Sequence, residues 1–109
     1  MKVTAFIGSS GTGKSYRAMT VARDHGIRYV IDDGLLIRDN KIIAGKSAKK
    51  EPTKLASVRR ALFSSKSHAD GVKAALAAEK PDSILILGTS EKMANYIVSA
   101  LDLESIDEM

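Results

Sequence analysis

The 109-residue sequence contains no cysteine and no tryptophan, only two prolines, and only 5% aromatic residues. Without cysteine it has no disulfide framework, no thiolate metal site and no cysteine nucleophile, a composition that fits a reducing compartment. The longest run of large aliphatic residues is Ile84-Leu85-Ile86-Leu87, far shorter than the roughly 20 residues that span a membrane. The N-terminus lacks the apolar length and cleavage pattern of a signal peptide. These absences predict a cytoplasmic protein with no membrane segment.

The charge of the chain is basic overall and unevenly placed. The net charge is +4, yet the segment Lys41–Lys66 holds eight lysines and arginines against one acidic residue, Glu51. Three interpretations are open: a solvated surface, a lid whose Arg59 and Arg60 neutralise phosphate charge, or a contact with a nucleic-acid backbone. Nucleic acid is not expected as a partner because Phe63 is the only aromatic residue in the segment, which leaves little for base stacking.

Short β-prone runs alternate with helical patterns along the chain. Runs at 2–7, 28–31 and 83–87 are typical of strands, and two apolar triplets around Asp39-Asn40 suggest a hairpin. Helical spacing follows Lys14, and Leu55, Val58 and Leu62 mark one face of a later helix. Strands that alternate with helices imply parallel pairing and right-handed crossovers, so the fold class predicted is α/β.

One segment matches the pattern G-x-x-x-x-G-K-[ST] at every fixed position. Glycines let its backbone approach a ligand closely, and successive N–H groups can surround anionic oxygens at the start of a helix. The lysine supplies a full charge for the β- and γ-phosphates, and the last hydroxyl can complete a Mg²⁺ shell. The predicted phosphate-binding residues are Gly8, Ser9, Ser10, Gly11, Thr12, Gly13, Lys14 and Ser15.

This segment resembles the Walker A motif of the P-loop NTPase superfamily, and the likeness covers about the first third of the chain. The resemblance implies a three-layer sandwich with the motif strand near the centre of its sheet, Mg²⁺–ATP as ligand, and phosphoanhydride hydrolysis or phosphoryl transfer. With about three parallel strands and a small hairpin, residues 1–109 would form a single, narrow P-loop domain. A sheet this narrow motivates two hypotheses: the chain forms a homodimer, or it is the N-terminal part of a longer protein.

A second, acidic group is needed beside the phosphates, and the run YVIDDG supplies it. Asp32 and Asp33 end the second predicted strand, where a carboxylate can reach Mg²⁺. Neighbouring residues of a strand face opposite sides, so Asp32 is assigned to the metal and Asp33 to a base or substrate contact. An acidic pair that merely opens a solvated Asp-Gly turn is the competing interpretation.

Three functions remain open on this evidence. The first is ATP hydrolysis, which would be slow because neither a water-activating residue nor an arginine finger is evident in the sequence. The second is a small-molecule kinase with its acceptor near Asp33, because acids at the end of the second strand resemble those of small P-loop kinases. The third is a nucleotide-dependent switch without turnover. ATP is preferred to GTP because Asn40-Lys41-Ile42-Ile43 lacks the aspartate of the guanine-selecting N-K-x-D pattern.

Polar residues elsewhere have ordinary interpretations beside functional ones. Thr89 and Ser90 follow the last strand, where they either sense the γ-phosphate or cap a helix. His25 and His68 are isolated in the sequence and lack the spacing of metal ligands.

Overall fold

The computed structural model describes residues 2–8, 20–39, 41–45, 47 and 51–103. Residues 20–24 are helical. The strands are β1 (Lys2–Ile7), β2 (Tyr29–Asp32), β3 (Leu35–Arg38), β4 (Lys41–Gly45) and β5 (Ser83–Gly88), and the helices are α1 (Lys54–Ala61), α2 (Lys66–Glu79) and α3 (Glu91–Ala100).

The five strands form one mixed sheet in the order β1-β5-β2-β3-β4. Strand β5 runs parallel to both β1 and β2, whereas β3 runs antiparallel to both β2 and β4. The predicted P-loop-like three-layer sandwich with a narrow parallel sheet is therefore wrong. Two residues, Asp33 and Gly34, join β2 to β3, and so short a link permits only antiparallel pairing because a parallel pair needs a crossover connection.

The position of the motif strand also differs from what the resemblance implies. That resemblance places the strand near the centre of the sheet, but β1 is an edge strand among those the structure describes. Its one neighbour there is β5, whose carboxyl end carries Gly88, Thr89 and Ser90 rather than acidic residues. The acids of β2 lie one strand further away.

Alternation along the central strands divides the core between the two faces of the sheet. On the first face, residues such as Ile31 and Ile86 pack with buried side chains of α2 and α3, among them Val72 and Ile97. On the second face, a smaller cluster comprises Ala22, Ile27, Val30, Leu85 and Leu87. The segment that follows the motif thus contributes Ala22 and Ile27 to the second face.

The helices differ in how firmly the protein holds them. Helix α2 is capped by Lys80, which has a left-handed conformation and stands directly before Pro81. Helix α3 buries Ile97 and Val98. Helix α1 begins at Thr53, whose Oγ1 accepts a hydrogen bond from Ala56 N at 3.1 Å, yet it has no buried residue. No described helix combines the length and the apolar character required to cross a bilayer.

Candidate functional site

The carboxyl ends of three mutually parallel strands share one edge of the sheet. Ile7 of β1 pairs with Gly88 of β5, and the N–H of Gly8 donates to the Gly88 carbonyl at 3.1 Å. On the other side of β5, the pairing of β2 ends with Ile31 opposite Ile86, and Asp32 and Asp33 follow. We call this end of the sheet the carboxyl edge. The first motif residue and the acidic pair lie at this same end, on strands separated by β5, which puts about 10 Å between β1 and β2.

The structure describes only the first residue of the predicted phosphate-binding segment. Gly8 lies at the carboxyl edge, where a strand gives way to the motif. Ser9, Ser10, Gly11, Thr12, Gly13, Lys14 and Ser15 lie outside the described residues.

Asp32 is the last residue of β2 and is half-buried. Ile31 belongs to the first face, and Val30 belongs to the second. Because side chains alternate along a strand, Asp32 shares the second face with Val30. This is the face on which Ala22 packs, so Asp32 and the segment following the motif lie on one side of the sheet.

Asp33 occupies the first position of the two-residue turn between β2 and β3. It and Gly34 both have positive φ angles, 56° and 82°, which are required of a type I′ hairpin turn. The Asp33 carboxylate also accepts a hydrogen bond at Oδ2 from the Ser47 hydroxyl at 2.5 Å. The carboxylate is thus fixed by both the turn and a neighbouring loop residue.

The turn itself is held from two sides. His68, buried in the first turn of α2, donates from Nε2 to the Gly34 carbonyl at 2.8 Å and stacks on Phe63 with 4.6 Å between ring centres. On the other side, Gly45 has a φ of 94°, and a Cβ at this position would clash with the Gly34 carbonyl oxygen. This close approach at the end of β4 leads the chain towards Ser47 beside Asp33.

The sequence prediction did not identify Ser47, His68 or Gly45 as parts of this arrangement. One signal was present, because Asp-Gly between β-prone runs is a strong hairpin pattern. Had Asp33-Gly34 been interpreted as a hairpin turn, β3 would have been placed beside β2. No local pattern indicates that Ser47 returns to the same turn.

The other predicted polar residues have structural roles. Ser90 is the N-cap of α3, with its hydroxyl accepting from Met93 N at 3.1 Å. Thr89 Oγ1 lies 3.5 Å from the Met93 sulfur. His25 donates from Nδ1 to the Val21 carbonyl at 2.9 Å, at the end of helix 20–24.

The basic segment forms an open cleft of about 540 Å³ between α1 and the start of α2. Arg59 is exposed, while Arg60 donates to Glu51 Oε1 at 2.7 Å, and both arginines line the cleft. Arg60 is therefore engaged in an ion pair, with about a fifth of each side chain exposed. The structure does not bring either arginine to the carboxyl edge by any described contact.

Comparison of the chain with protein-family models, with curated proteins and with solved structures yields no match. The residues that the structure describes contain no group of three or more histidine, cysteine or acidic side chains suited to a metal ion. The likeness to P-loop NTPases therefore stays a resemblance in sequence.

Proposed function

We propose that the chain binds Mg²⁺–ATP through residues 8–15 and hydrolyses it slowly. The observation that carries this proposal is that the motif begins at the carboxyl edge, the same end of the sheet as Asp32 and Asp33. Ligands of open sheets that contain parallel strands bind outside the carboxyl ends of those strands. Gly8, the first residue of the motif, and the two carboxylates therefore lie at the end of the sheet where such a ligand is expected.

Each group at this edge has a distinct task in the proposed site. Backbone N–H groups of residues 8–15 would surround the phosphate oxygens, and Lys14 would contact the β- and γ-phosphates. The donor chemistry fits Mg²⁺, which prefers oxygen ligands, with the Ser15 hydroxyl and the Asp32 carboxylate as the residues that would hold it. When bound, the ion neutralises charge on the phosphate oxygens. The location of Asp32 on the same face as Ala22 supports this pairing.

Calorimetric titration of ATP and GTP, each with and without Mg²⁺, tests the proposal on wild type and Lys14→Ala. We expect the substitution to weaken ATP binding at least ten-fold, because it removes a charge-assisted contact of about 1.5–3 kcal/mol. Lys41→Ala is the matched control, since Lys41 is an exposed lysine on β4, the outermost strand on the other side of the sheet from β1. Equal affinity for wild type and Lys14→Ala would contradict the proposal.

A kinase is the second candidate, and one observation favours it. The Asp33 carboxylate is held in position and already accepts a hydroxyl hydrogen bond, from Ser47. A carboxylate in this relation to an acceptor hydroxyl is the arrangement that phosphoryl transfer to an alcohol uses. Phosphate release from ATP alone would favour hydrolysis, ADP formation that depends on an acceptor would favour the kinase, and binding without turnover would favour a switch.

A further inference from the structure

Ser47 is placed as an acceptor hydroxyl. Its Oγ lies 2.5 Å from Asp33 Oδ2, and the carboxylate oxygen can only accept, so the hydroxyl proton is directed at Asp33. Removal of a proton from a hydroxyl by a positioned carboxylate is the role of a general base in phosphoryl transfer. The pair therefore already has the donor–acceptor geometry that such a step requires.

The backbone on both sides of the pair is constrained. Asp33 lies in the hairpin turn, which His68 holds through the Gly34 carbonyl, and Gly45 packs against the same turn. Ser47 is half-buried and follows Gly45 by two residues. The contact between Ser47 and Asp33 thus lies beside a turn that His68 and Gly45 hold in place.

The charge and location of the pair suit a phosphate donor. Asp33 lies at the carboxyl edge, the end of the sheet at which the motif begins on the far side of β5. In sequence, Ser47 is preceded by Lys46 and followed, two and three residues on, by Lys49 and Lys50, so this part of the sequence is rich in cationic residues. Positive charge beside a serine stabilises the charge that a phosphoryl group brings.

We propose that Ser47 is an autophosphorylation site, with the γ-phosphate of ATP as donor and Asp33 as general base; this rests on the proposed ATP binding. Ser47 Oγ attacks the γ-phosphorus and forms a new O–P bond, while the bond from that phosphorus to the β–γ bridging oxygen breaks. ADP leaves with the electron pair, and the Ser47 proton passes to Asp33 Oδ2. The products are ADP and phosphoserine at position 47.

The test is incubation of the full chain with Mg²⁺ and γ-labelled ATP, followed by mapping of the label by peptide mass spectrometry. We expect label on Ser47 in the wild type, none there in Ser47→Ala, and retention of labelling in Ser47→Thr, which keeps a hydroxyl. Asp33→Asn is expected to lower the labelling rate at saturating ATP by roughly 10²–10⁴-fold, as loss of a general base does. Lys14→Ala should instead raise the ATP concentration needed for labelling.

Ser64→Ala is the matched control, because Ser64 is an exposed serine in the same basic segment. Its labelling should equal that of wild type. ATP binding that depends on Lys14, without phosphate on Ser47, would overturn this inference and leave the proposed function standing. Label on another residue would overturn it equally, whereas absence of ATP binding in the parallel calorimetry would overturn both proposals.

Discussion

Glu79, the last residue of α2, joins that helix to the sheet through one carboxylate oxygen. The Tyr29 hydroxyl donates to Glu79 Oε1 at 3.0 Å, and an Arg38 guanidinium N–H donates to the same oxygen. These two donors stabilise the ionised form and lower the pKa of Glu79, with the Tyr29 bond as the larger cause and the Arg38 bond next. A single side chain thus connects α2, β2 and β3 in a manner that depends on its charge.

Stability should therefore depend on the ionisation of Glu79. The pKa of Glu79 in the folded protein lies below the usual value of 4.5, so its stabilising contribution is present above that pH. The contribution decreases as the pH falls through the folded-state pKa. We expect Glu79→Gln to have a lower melting temperature than wild type at neutral pH, and we expect this difference to disappear in acid.

Thermal melts from pH 7 down to pH 3 measure this difference. Tyr29→Phe, which removes one donor and keeps the ring, should reduce the acid dependence without abolishing it. A gap between wild type and Glu79→Gln that stays constant over the whole range would contradict the assignment.

At the scale of elements, the meander of β2, β3 and β4 is determined by its turns. The first has the positive φ angles of Asp33 and Gly34, and the second begins with Asp39 at a φ of 49°. At the end of β4, Gly45 combines a positive φ with close backbone contact to Gly34, which any side chain would prevent. This glycine therefore couples the end of the meander to its first turn.

Alanine substitution at two glycines should have opposite effects. Gly45→Ala is expected to destabilise the fold by at least about 1–3 kcal/mol, because it adds backbone strain as well as a clash. Gly71, inside α2, has open space where a Cβ would lie, so Gly71→Ala should stabilise by about 0.5–1 kcal/mol. Chemical denaturation of both variants measures the free energies of unfolding. Equal effects of the two substitutions would contradict this account of Gly45.

The sequence predicts local features better than it predicts pairings. The runs that became β1, β2 and β5 and the hairpin around residues 39–40 are visible from β-prone residues and turn chemistry. Which strands lie side by side depends on contacts distant in sequence, and so the mixed sheet was not predicted. The helical spacing of Leu55 and Val58 was real, yet both side chains are largely exposed. Periodicity shows that one face is apolar, but not that another element covers it.

For the candidate site, the sequence predicts the chemistry but not the assembly. Two adjacent aspartates at a strand end were recognisable as candidate ligands, and Asp32 and Asp33 do lie at the carboxyl edge. The contact with Ser47 could not be predicted because it requires both the Asp33-Gly34 turn and the path of the chain beyond Gly45. Phosphate binding by residues 8–15 stays a prediction.

At the scale of the whole molecule, the larger part of the hydrophobic core and the candidate site occupy different parts of the sheet. The larger core cluster lies beneath α2 and α3, whereas the candidate site lies at the carboxyl edge. The Arg28–Asp39 ion pair, at 2.8 Å, and the contacts of Glu79 with Tyr29 and Arg38 lie at the other end of these strands, where β2 begins and β3 ends. Homodimer formation, expected for a narrow sheet, stays a prediction.

Core and surface substitutions should separate accordingly. Leu36 is fully buried in β3, so Leu36→Ala should leave a cavity and lower the free energy of unfolding by about 2–5 kcal/mol. Leu55 in α1 is 61% exposed, so Leu55→Ala should stay within about 0.5 kcal/mol of wild type. Urea titrations give both values. A large loss for Leu55→Ala would indicate that another surface covers α1 in solution.

The left-handed backbone of Asp33 restricts which amino acids can stand there. Asparagine tolerates this conformation and has nearly the same shape, so it removes the charge while leaving the hairpin intact. Alanine or glutamate would strain the turn, and a shift of the turn by one residue would transfer every side chain of β3 to the opposite face. Substitution at this position is therefore confined to residues that accept a left-handed backbone, chiefly asparagine and glycine, and asparagine removes the charge while keeping the shape of the side chain.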